Sequence, residues 1–275
     1  ANGPIRLKPF ELRAFYSKDS RLKISAVKTT VPGRVLDYYR QELDKVQKTV
    51  ARLTAGKIAC GDAEAALARM REMLEGGQLA ELHRLRFSLA VSEAMEKADN
   101  FANFSEQAAM IRRGHYAVNC GATGFYRAKS GTLFFPDRAL GSGEYGYVGA
   151  YQNVVRNTDG LQTDDPELFM TEAYGVDAYR FKVTPGKYKV RLYLKAGYKK
   201  GFKPDTFVFS VAVQGVPVLE NFDVVTACNS DFCQATIKDV SDIEVKTDVL
   251  EIKFSVDEKH HPTAKLVNAI EVIRQ

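Results

Sequence analysis

Several features that mark membrane proteins and common enzymes are absent from this sequence. Its 275 residues include no run of 18 apolar residues, so no membrane-spanning segment is predicted. The Gly-x-Ser-x-Gly elbow of serine hydrolases, the His-Glu-x-x-His zinc motif and the phosphate-binding loop are also missing. The adjacent His260 and His261 would point to opposite sides of a strand, so they cannot chelate one metal ion from it. The sequence therefore predicts no catalytic residue, no catalytic metal and no cofactor other than the structural calcium ion considered below.

Cysteine is scarce, with four residues and no Cys-x-x-Cys pair. Cys228 and Cys233 flank the polar loop 229–232, and two alternatives remain open for them. They could close a small disulfide ring, or they could be two reduced, inert thiols. An even number of cysteines is compatible with an oxidising compartment but does not require one.

Charge and aromatic residues are distributed unevenly along the chain. Residues 1–115 contain 20 Lys and Arg against 14 Asp and Glu, whereas residues 116–275 contain 19 against 20. Of the 29 Phe and Tyr residues, 8 precede residue 116. Basic and acidic residues alternate along the predicted helices of the first part, which is typical of a solvated helix face. Because no zinc-finger or RNA-binding signature accompanies them, we expect no nucleic-acid partner.

Residues 31–98 have helical patterns and are predicted to form a helical bundle or hairpin that acts as a spacer. Helices are also predicted over 62–74 and 79–95, with glycines at the intervening break, and residues 99–115 predict a linker that keeps some helix. The first helix, which ends at Gly56, is predicted from an apolar stripe at three- and four-residue spacing: Leu36, Tyr39, Leu43, Val46, Val50 and Leu53.

Residues 5–17 alternate apolar and polar side chains, a strand pattern without a partner hairpin nearby. This stretch looks like the closing strand of the β-sandwich that often ends a glycoside hydrolase catalytic unit. Residues 1–18 are therefore assigned to a preceding sandwich domain. Because the chain opens at Ala1 without Met, we expect a processed or excised piece of a longer protein.

After His115 the pattern becomes that of an all-β domain. Strands at this spacing favour an antiparallel β-sandwich or jelly roll over residues 116–275, so the fold class is α+β in separate domains. Residues 121–178 are rich in Gly and Tyr and predict long ordered loops, where binding sites usually lie. The predicted strands are 179–183, 188–194, 206–213, 250–256 and 268–273.

Several aromatic residues of this region lie in predicted loops beside glycines. Aromatic rings stack on the apolar C–H faces of sugars, and tyrosine adds a hydrogen-bonding tip. The aromatic residues on strand patterns, such as Phe207 and Phe254, are predicted to be core. Those predicted to be exposed are Phe134, Phe135, Tyr145, Tyr147, Tyr151, Tyr174, Tyr198 and Phe202.

A set of motifs in one order resembles the malectin and malectin-like carbohydrate-binding modules. The resemblance covers residues 116–274 and none of residues 1–110, and it implies a jelly-roll sandwich that holds a short glycan in a loop pocket. The motifs are Val118-Asn-Cys-Gly-Ala122, Gly146-Tyr-Val-Gly149, Asp164 to Gly175 with its Thr-Glu-Ala-Tyr, Tyr179 to Val190, Phe207 to Gly215, Val218-Leu-Glu-Asn-Phe-Asp223, Pro262 and Asn268-Ala-Ile-Glu-Val272.

The resemblance also implies which residues contact the sugar, because the malectin pocket is mainly aromatic with one aspartate. Three tyrosines match: Tyr145 in Glu-Tyr-Gly, Tyr174 in Thr-Glu-Ala-Tyr, and Tyr198 after the strand 188–194. The aromatic platform of the family is thus expected here.

Two pocket positions depart from the family. Lys199 stands where malectin has Phe, and Phe202 is close enough along the chain to compensate. His260 stands where malectin has its aspartate. Because of these departures, the preference of malectin for an α-linked glucose disaccharide does not carry over. The implied site is therefore Tyr145, Tyr174, Tyr198, Lys199, Phe202 and His260.

The resemblance implies the non-catalytic C-terminal part of a larger bacterial glycoside hydrolase, extracellular or periplasmic. Its expected partners are an oligo- or polysaccharide and the catalytic domain of the same polypeptide. The alternative is a structural or docking module whose sugar pocket is degenerate and which mediates domain or protein contacts. Asp137, Asp159, Asp164 and Asp165 could furnish a structural calcium site, or they could be solvated loop acids.

Overall fold

The fold is described from a computed structural model that covers residues 31–141, 143–154 and 160–275. The strand predicted within residues 1–18 lies outside the described residues. The chain divides into two compact units, one that ends at Ala94 and one that covers Met95–Gln275. None of the described helices is both long enough and apolar enough to cross a membrane. The expected order, a helical region followed by a sheet-rich domain, is confirmed.

The helical region matches the prediction in part. The third predicted helix is wrong as one element, because the chain breaks at residues 87–88 into two helices. The second of these runs through residues 99–112, where a linker with some helix was expected; its Ala, Glu, Gln and Met residues favour helix, and Met110 is buried in the core of the sheets. The long described helices are α1 (Gly33–Ala55), α2 (Gly61–Glu75), α3 (Leu79–Arg86) and α4 (Leu89–Arg112).

The core of the first unit contains a charged pair as well as apolar side chains. Val46 and Leu53 of α1 are fully buried, as the apolar stripe predicts. Glu42, and not its neighbour Leu43, completes the buried face of α1. Its Oε2 accepts a hydrogen bond from Nε of the buried Arg86 at 2.7 Å. Two charges can occupy this core because each neutralises the other.

The second unit contains most of the strands that the alternating patterns predict. Along β8 the side chains of Tyr188, Val190, Leu192 and Leu194 are buried, in the expected period of two. The described strands are β1 (His115–Asn119), β2 (Tyr126–Arg127), β3 (Leu133–Pro136), β4 (Tyr145–Val148), β5 (Tyr151–Val154), β6 (Thr171–Tyr174), β7 (Ala178–Lys182), β8 (Gly186–Leu194), β9 (Val208–Val213), β10 (Val216–Asp223), β11 (Thr236–Val245), β12 (Val249–Ser255), β13 (Leu266–Val267) and β14 (Ala269–Arg274), with a short helix α5 (Val224–Ala227).

These strands form three sheets. The largest has the order β11-β8-β14-β1-β3-β2, the second β10-β9-β12-β7-β4, and the third β13-β6-β5. The two larger sheets share one core, in which Tyr116 of β1 meets Phe181 of β7 with ring centroids 5.3 Å apart. The prediction of a wholly antiparallel sandwich is wrong, since β1 and β3 pair in parallel and an isolated parallel bridge joins Ala139 to Tyr147. The sheets of this domain therefore contain both antiparallel and parallel strand pairs.

The region predicted as long loops is more regular than its sequence indicates. In the described parts of residues 121–178 there are five short strands, β2 to β6, and a 3-10 helix at Pro166–Phe169. Each of these strands has two to four residues, which is too few to show a period of two in the sequence. They are recognised only by their backbone pairing with neighbouring strands. Phe134 and Phe135, expected to be exposed, are buried on β3.

Strand register brings several loops to one end of the largest sheet. Leu194, the last residue of β8, pairs with Thr236 at the start of β11, and Tyr193 pairs with Ala269 at the start of β14. The loop after β8 and the loops before β11 and β14 therefore emerge at the same edge. Because loops on a rigid sheet carry most binding residues, this end is the candidate site.

Candidate functional site

The loop that follows β8 carries three of the predicted site residues. Tyr198, Lys199 and Phe202 lie in this β8–β9 loop (residues 195–207), around a 3-10 turn at Lys199–Gly201. The Tyr198 side chain is 58% exposed. Its ring lies over Gly201, where an added Cβ would be only 2.6 Å from ring atom Cδ1. Glycine at 201 thus lets the ring rest on the backbone while over half of the side chain faces solvent.

Phe232, in the loop 228–235 before β11, is a centre of this site that the sequence did not single out. Phe202 meets it edge to face, with ring centroids 5.1 Å apart. The Nζ atoms of Lys195 and Lys199 lie 3.8 Å and 5.6 Å from the centroid of the same ring. Ammonium groups are attracted to aromatic faces by the ring quadrupole. The predicted residues Lys199 and Phe202 are therefore brought together through Phe232.

A buried lysine and a buried glutamate support the base of this loop. Lys195 is 1% exposed, and its ammonium has one acceptor among the described residues, the carbonyl oxygen of Ala196 at 3.5 Å. Burial lowers the pKa of Lys195, and the Glu172 carboxylate opposes that effect. Glu172 Oε2 in turn accepts a hydrogen bond from the backbone N of Gly197 at 3.0 Å. The segment that leads into Tyr198 is thereby fixed to β6.

Tyr174 and Tyr151 form a second aromatic surface. Strand β6 connects it to the base of the β8–β9 loop. Tyr174 lies two residues beyond Glu172, so both side chains are on the same face of the strand. Its ring packs 5.4 Å from that of Tyr151, directly opposite on β5. Tyr174 is half-buried and Tyr151 is 62% exposed, which confirms the expected exposure of Tyr151. Gly175, at φ +63°, approaches the Tyr151 ring so closely that a Cβ would lie 3.1 Å from it.

His260 joins the β8–β9 loop to the loop between β12 and β13 (residues 256–265). Its Nδ1 lies 2.6 Å from Oδ1 of Asp257, and its Nε2 lies 3.2 Å from Oδ1 of Asp205. These two carboxylates raise the pKa of His260, and the imidazole lowers the pKa of Asp257. Because both ring nitrogens are occupied and the side chain is 13% exposed, His260 positions the loops and offers little surface to a ligand.

Tyr145 is not an exposed loop residue, so the expectation that its ring faces solvent is wrong. It is the first residue of β4 and 1% exposed. Its ring stacks with Phe181 at 6.4 Å and 12°, and its hydroxyl donates to the carbonyl oxygen of Pro136 at 2.7 Å. Burial raises the pKa of Tyr145 to about 12. Pairing of β4 with β7 places this side chain in the core, which the neighbouring Glu and Gly residues conceal in the sequence.

The acids named for a calcium site are dispersed. Asp137 accepts a hydrogen bond from the Tyr179 hydroxyl at 2.9 Å. Asp164 accepts one from the side-chain amino group of Lys129, and Asp165 accepts one from the backbone N–H of the same lysine. Asp159 lies outside the described residues. In the described part of the chain, no three His, Cys, Asp or Glu side chains come together as a metal site. Calcium binding stays a prediction.

The two cysteines beside Phe232 are free thiols. Cys228 is buried, and burial raises its pKa to about 11. Cys233 is half-buried. A disulfide ring between them, one of the two alternatives, is not formed in this structure. The high thiol pKa of Cys228 agrees with the other alternative, a reduced and unreactive side chain.

Known structures resemble part of this chain. The chain is similar to Bacteroides uniformis beta-glucuronidase 2 covalently bound to cyclophellitol-6-carboxylate aziridine, with 22% identity and a TM-score of 0.50 over 61% of this chain and 18% of that chain. A second structure of Bacteroides uniformis beta-glucuronidase gives 23% identity and a TM-score of 0.51, over 61% and 19%. The ANXUR1 extracellular domain from Arabidopsis thaliana gives 20% identity and a TM-score of 0.48, over 58% and 42%.

At these identities the similarity to the glucuronidases concerns the fold, and the chain spans less than a fifth of their length. Comparison with curated proteins found no significant match. The family model of the malectin domain matches residues 115–269, which agrees with the predicted range 116–274. Since this match covers more than half of the 275 residues, the chain belongs to the malectin domain family.

Proposed function

We propose that this chain is the non-catalytic, carbohydrate-binding portion of a larger bacterial glycoside hydrolase. Its malectin domain, a carbohydrate-binding fold that we take to be a jelly-roll sandwich, would hold a short glycan at the end of the sheet where the β8–β9 loop emerges. The similarity to part of a Bacteroides glucuronidase supports this parentage. The location of such an enzyme would be extracellular or periplasmic.

The observation that carries the proposal is the Tyr198 platform. An exposed ring that lies on Gly201, beside Phe202 and Phe232, provides an apolar face with polar groups at its edge. Sugar rings require this combination, since their C–H faces stack on aromatics and their hydroxyls need directional partners. A short sugar buries little surface, so we expect a Kd of roughly 10 µM to 1 mM. Attachment to a catalytic domain would raise the effective affinity.

Isothermal titration of the whole chain against a panel of neutral and acidic oligosaccharides tests this function. Tyr198→Ala should abolish the binding that the native chain shows, and Tyr174→Ala should weaken it. Tyr38→Ala is the matched control, because Tyr38 is a 43% exposed tyrosine of the helical unit. Flat titrations of the native chain against the entire panel would contradict the proposal, as would equal binding by native protein and Tyr198→Ala.

A structural or docking module is the second candidate function. Two observations favour it: His260 is engaged by two carboxylates, and Tyr145, which the family comparison implies in the pocket, is buried. Both reduce the number of implied pocket residues that could reach a sugar. If Tyr198→Ala leaves sugar binding unchanged but weakens assembly with the parent enzyme in size-exclusion chromatography, the docking function is the correct one.

A further inference from the structure

The β8–β9 loop carries an excess of positive charge. Residues 195–203 contain four lysines and no acid, and the lysines are Lys195, Lys199, Lys200 and Lys203. None of the four has a carboxylate within ion-pair distance among the described residues. Elsewhere in this unit many basic residues do have such partners, as Arg191 has in Asp239. The four lysines are therefore cations without an ion-pair partner in the described part of the chain, and the one acid of the loop, Asp205, contacts His260 instead.

The acids near this loop are committed to other groups. Glu172 accepts from the backbone N of Gly197, and Asp223 caps α5 through the backbone N of Val225. Asp205 and Asp257 bracket His260. His260 therefore adds no free positive charge, and of these carboxylates only Glu172 acts on a lysine of the loop, by favouring the charged form of Lys195.

Two of the lysines converge on one aromatic ring. The Nζ atoms of Lys195 and Lys199 both approach the face of Phe232, at 3.8 Å and 5.6 Å from its centroid. Like charges in one neighbourhood repel each other. The Lys195 ammonium also has three donors and a single acceptor at 3.5 Å. An anion bound at the exposed Lys199 would offset this repulsion, whereas the buried Lys195 contributes only its charge.

We propose that this loop binds a glycan that carries an anionic group, a carboxylate or a sulfate, with Tyr198 stacking on the sugar ring and Lys199 and Lys200 pairing with the anion. The inference rests on the proposed function and names its substrate class. Charge-assisted hydrogen bonds from ammonium to carboxylate or sulfate are about twice as strong as neutral ones. The replacement of an aromatic residue by Lys199, relative to the family pattern, fits this preference.

The test uses trisaccharides that differ only at C6. Maltotriose and cellotriose are each compared with their C6-carboxylate and C6-sulfate forms, by titration of the whole chain at low salt. A charged form should bind about tenfold tighter than its neutral parent, as expected for one hydrogen bond to a charged group. The carboxylate and sulfate arms identify which anion is preferred. Raising the ionic strength should reduce the difference, because exposed pairs are screened.

Lys199→Gln and Lys200→Gln should each remove most of the charge-dependent gain, measured as the ratio of the Kd of the neutral parent to the Kd of its charged form. Lys182→Gln is the matched control: Lys182 is an exposed lysine near the opposite end of the domain, where β7 pairs with Val249. Circular dichroism verifies that each variant is folded.

Neutral trisaccharides that bind as tightly as the charged forms would overturn the anionic preference and leave the proposed function standing. A gain that persists in both lysine variants would overturn it as well. If no trisaccharide binds, the inference fails, and the proposed function fails with it only if the wider panel is also flat.

Discussion

Replacement of Tyr145 by alanine is expected to destabilise the sheet-rich unit. The ring is fully buried and packs against Tyr116, Phe135 and Phe181, with centroids 6.1, 5.9 and 6.4 Å away. Deletion of a buried aromatic side chain costs about 3–5 kcal/mol. With a domain stability of about 5–15 kcal/mol, this is a large fraction of the total free energy of unfolding.

Tyr145→Phe separates the hydroxyl from the ring. It removes the donor to the carbonyl oxygen of Pro136 and the acceptor for Gln107 but keeps the packing. A buried carbonyl left without its donor costs about 1–3 kcal/mol. Tyr198→Ala is the control, since substitution of an exposed side chain usually changes stability by less than about 0.5 kcal/mol.

Urea unfolding followed by far-ultraviolet circular dichroism measures these differences; the chain has no tryptophan for a fluorescence signal. With an m-value of about 2 kcal/mol/M, Tyr145→Ala should lower the midpoint by about 2 M and Tyr145→Phe by about 1 M. The reasoning is refuted if Tyr145→Ala unfolds at the native midpoint and specifically loses sugar binding. That result would place the ring at a ligand surface.

Three further predictions concern other parts of the molecule. Glu42→Ala should destabilise the helical unit by about 3–5 kcal/mol in thermal unfolding, because it leaves Arg86 buried without its partner, whereas replacing both residues by apolar ones should cost much less. Gly121→Ala should reduce folded yield on expression, since φ is +79° and the new Cβ would lie 2.7 Å from a backbone oxygen of β6; Gly131→Ala, also at positive φ but with open space around it, is the control. The pKa of His260 should lie above 6.5 in an NMR pH series, because the neighbouring carboxylates raise it in the folded state. The contact of the protonated imidazole with Asp205 and Asp257 is therefore complete below pH 6.5 and is lost as the pH rises through the folded pKa. Backbone hydrogen exchange in residues 195–207 should increase over the same pH range beyond the intrinsic pH effect, and in His260→Asn it should not.

The sequence predicted those elements whose pattern repeats over a long stretch. The stripe of α1 and the alternation of β8 and β12 each extend over at least seven residues, so periodicity distinguishes helix from strand. The short strands β2 to β6 have no such length. Their existence depends on pairing with strands far along the chain, as Tyr145 pairs with Phe181.

The motif after the strand 188–194 predicted the part of the candidate site that lies in the β8–β9 loop, and the family resemblance supplied Tyr174 and His260 from other segments. Tyr198, Lys199 and Phe202 lie within five positions, so one motif found all three. Phe232 and Glu172 come from distant segments, and only the fold brings them to the same place. One local signal was available for Lys195: it follows β8 between Leu194 and Ala196, which are both buried, where an exposed lysine would be out of place.

The contact between Tyr198 and Gly201 makes the orientation of the Tyr198 ring depend on the absence of a side chain at position 201. A ring already seated on the backbone has fewer orientations to lose when a sugar arrives, and each ordered side chain otherwise costs about 0.5–1.5 kcal/mol. Any larger residue at 201 would push the ring off its seat, since even a Cβ would overlap ring atom Cδ1. Under the proposed function, replacement of Gly201 would therefore abolish glycan binding while every other side chain of the proposed site stays in place.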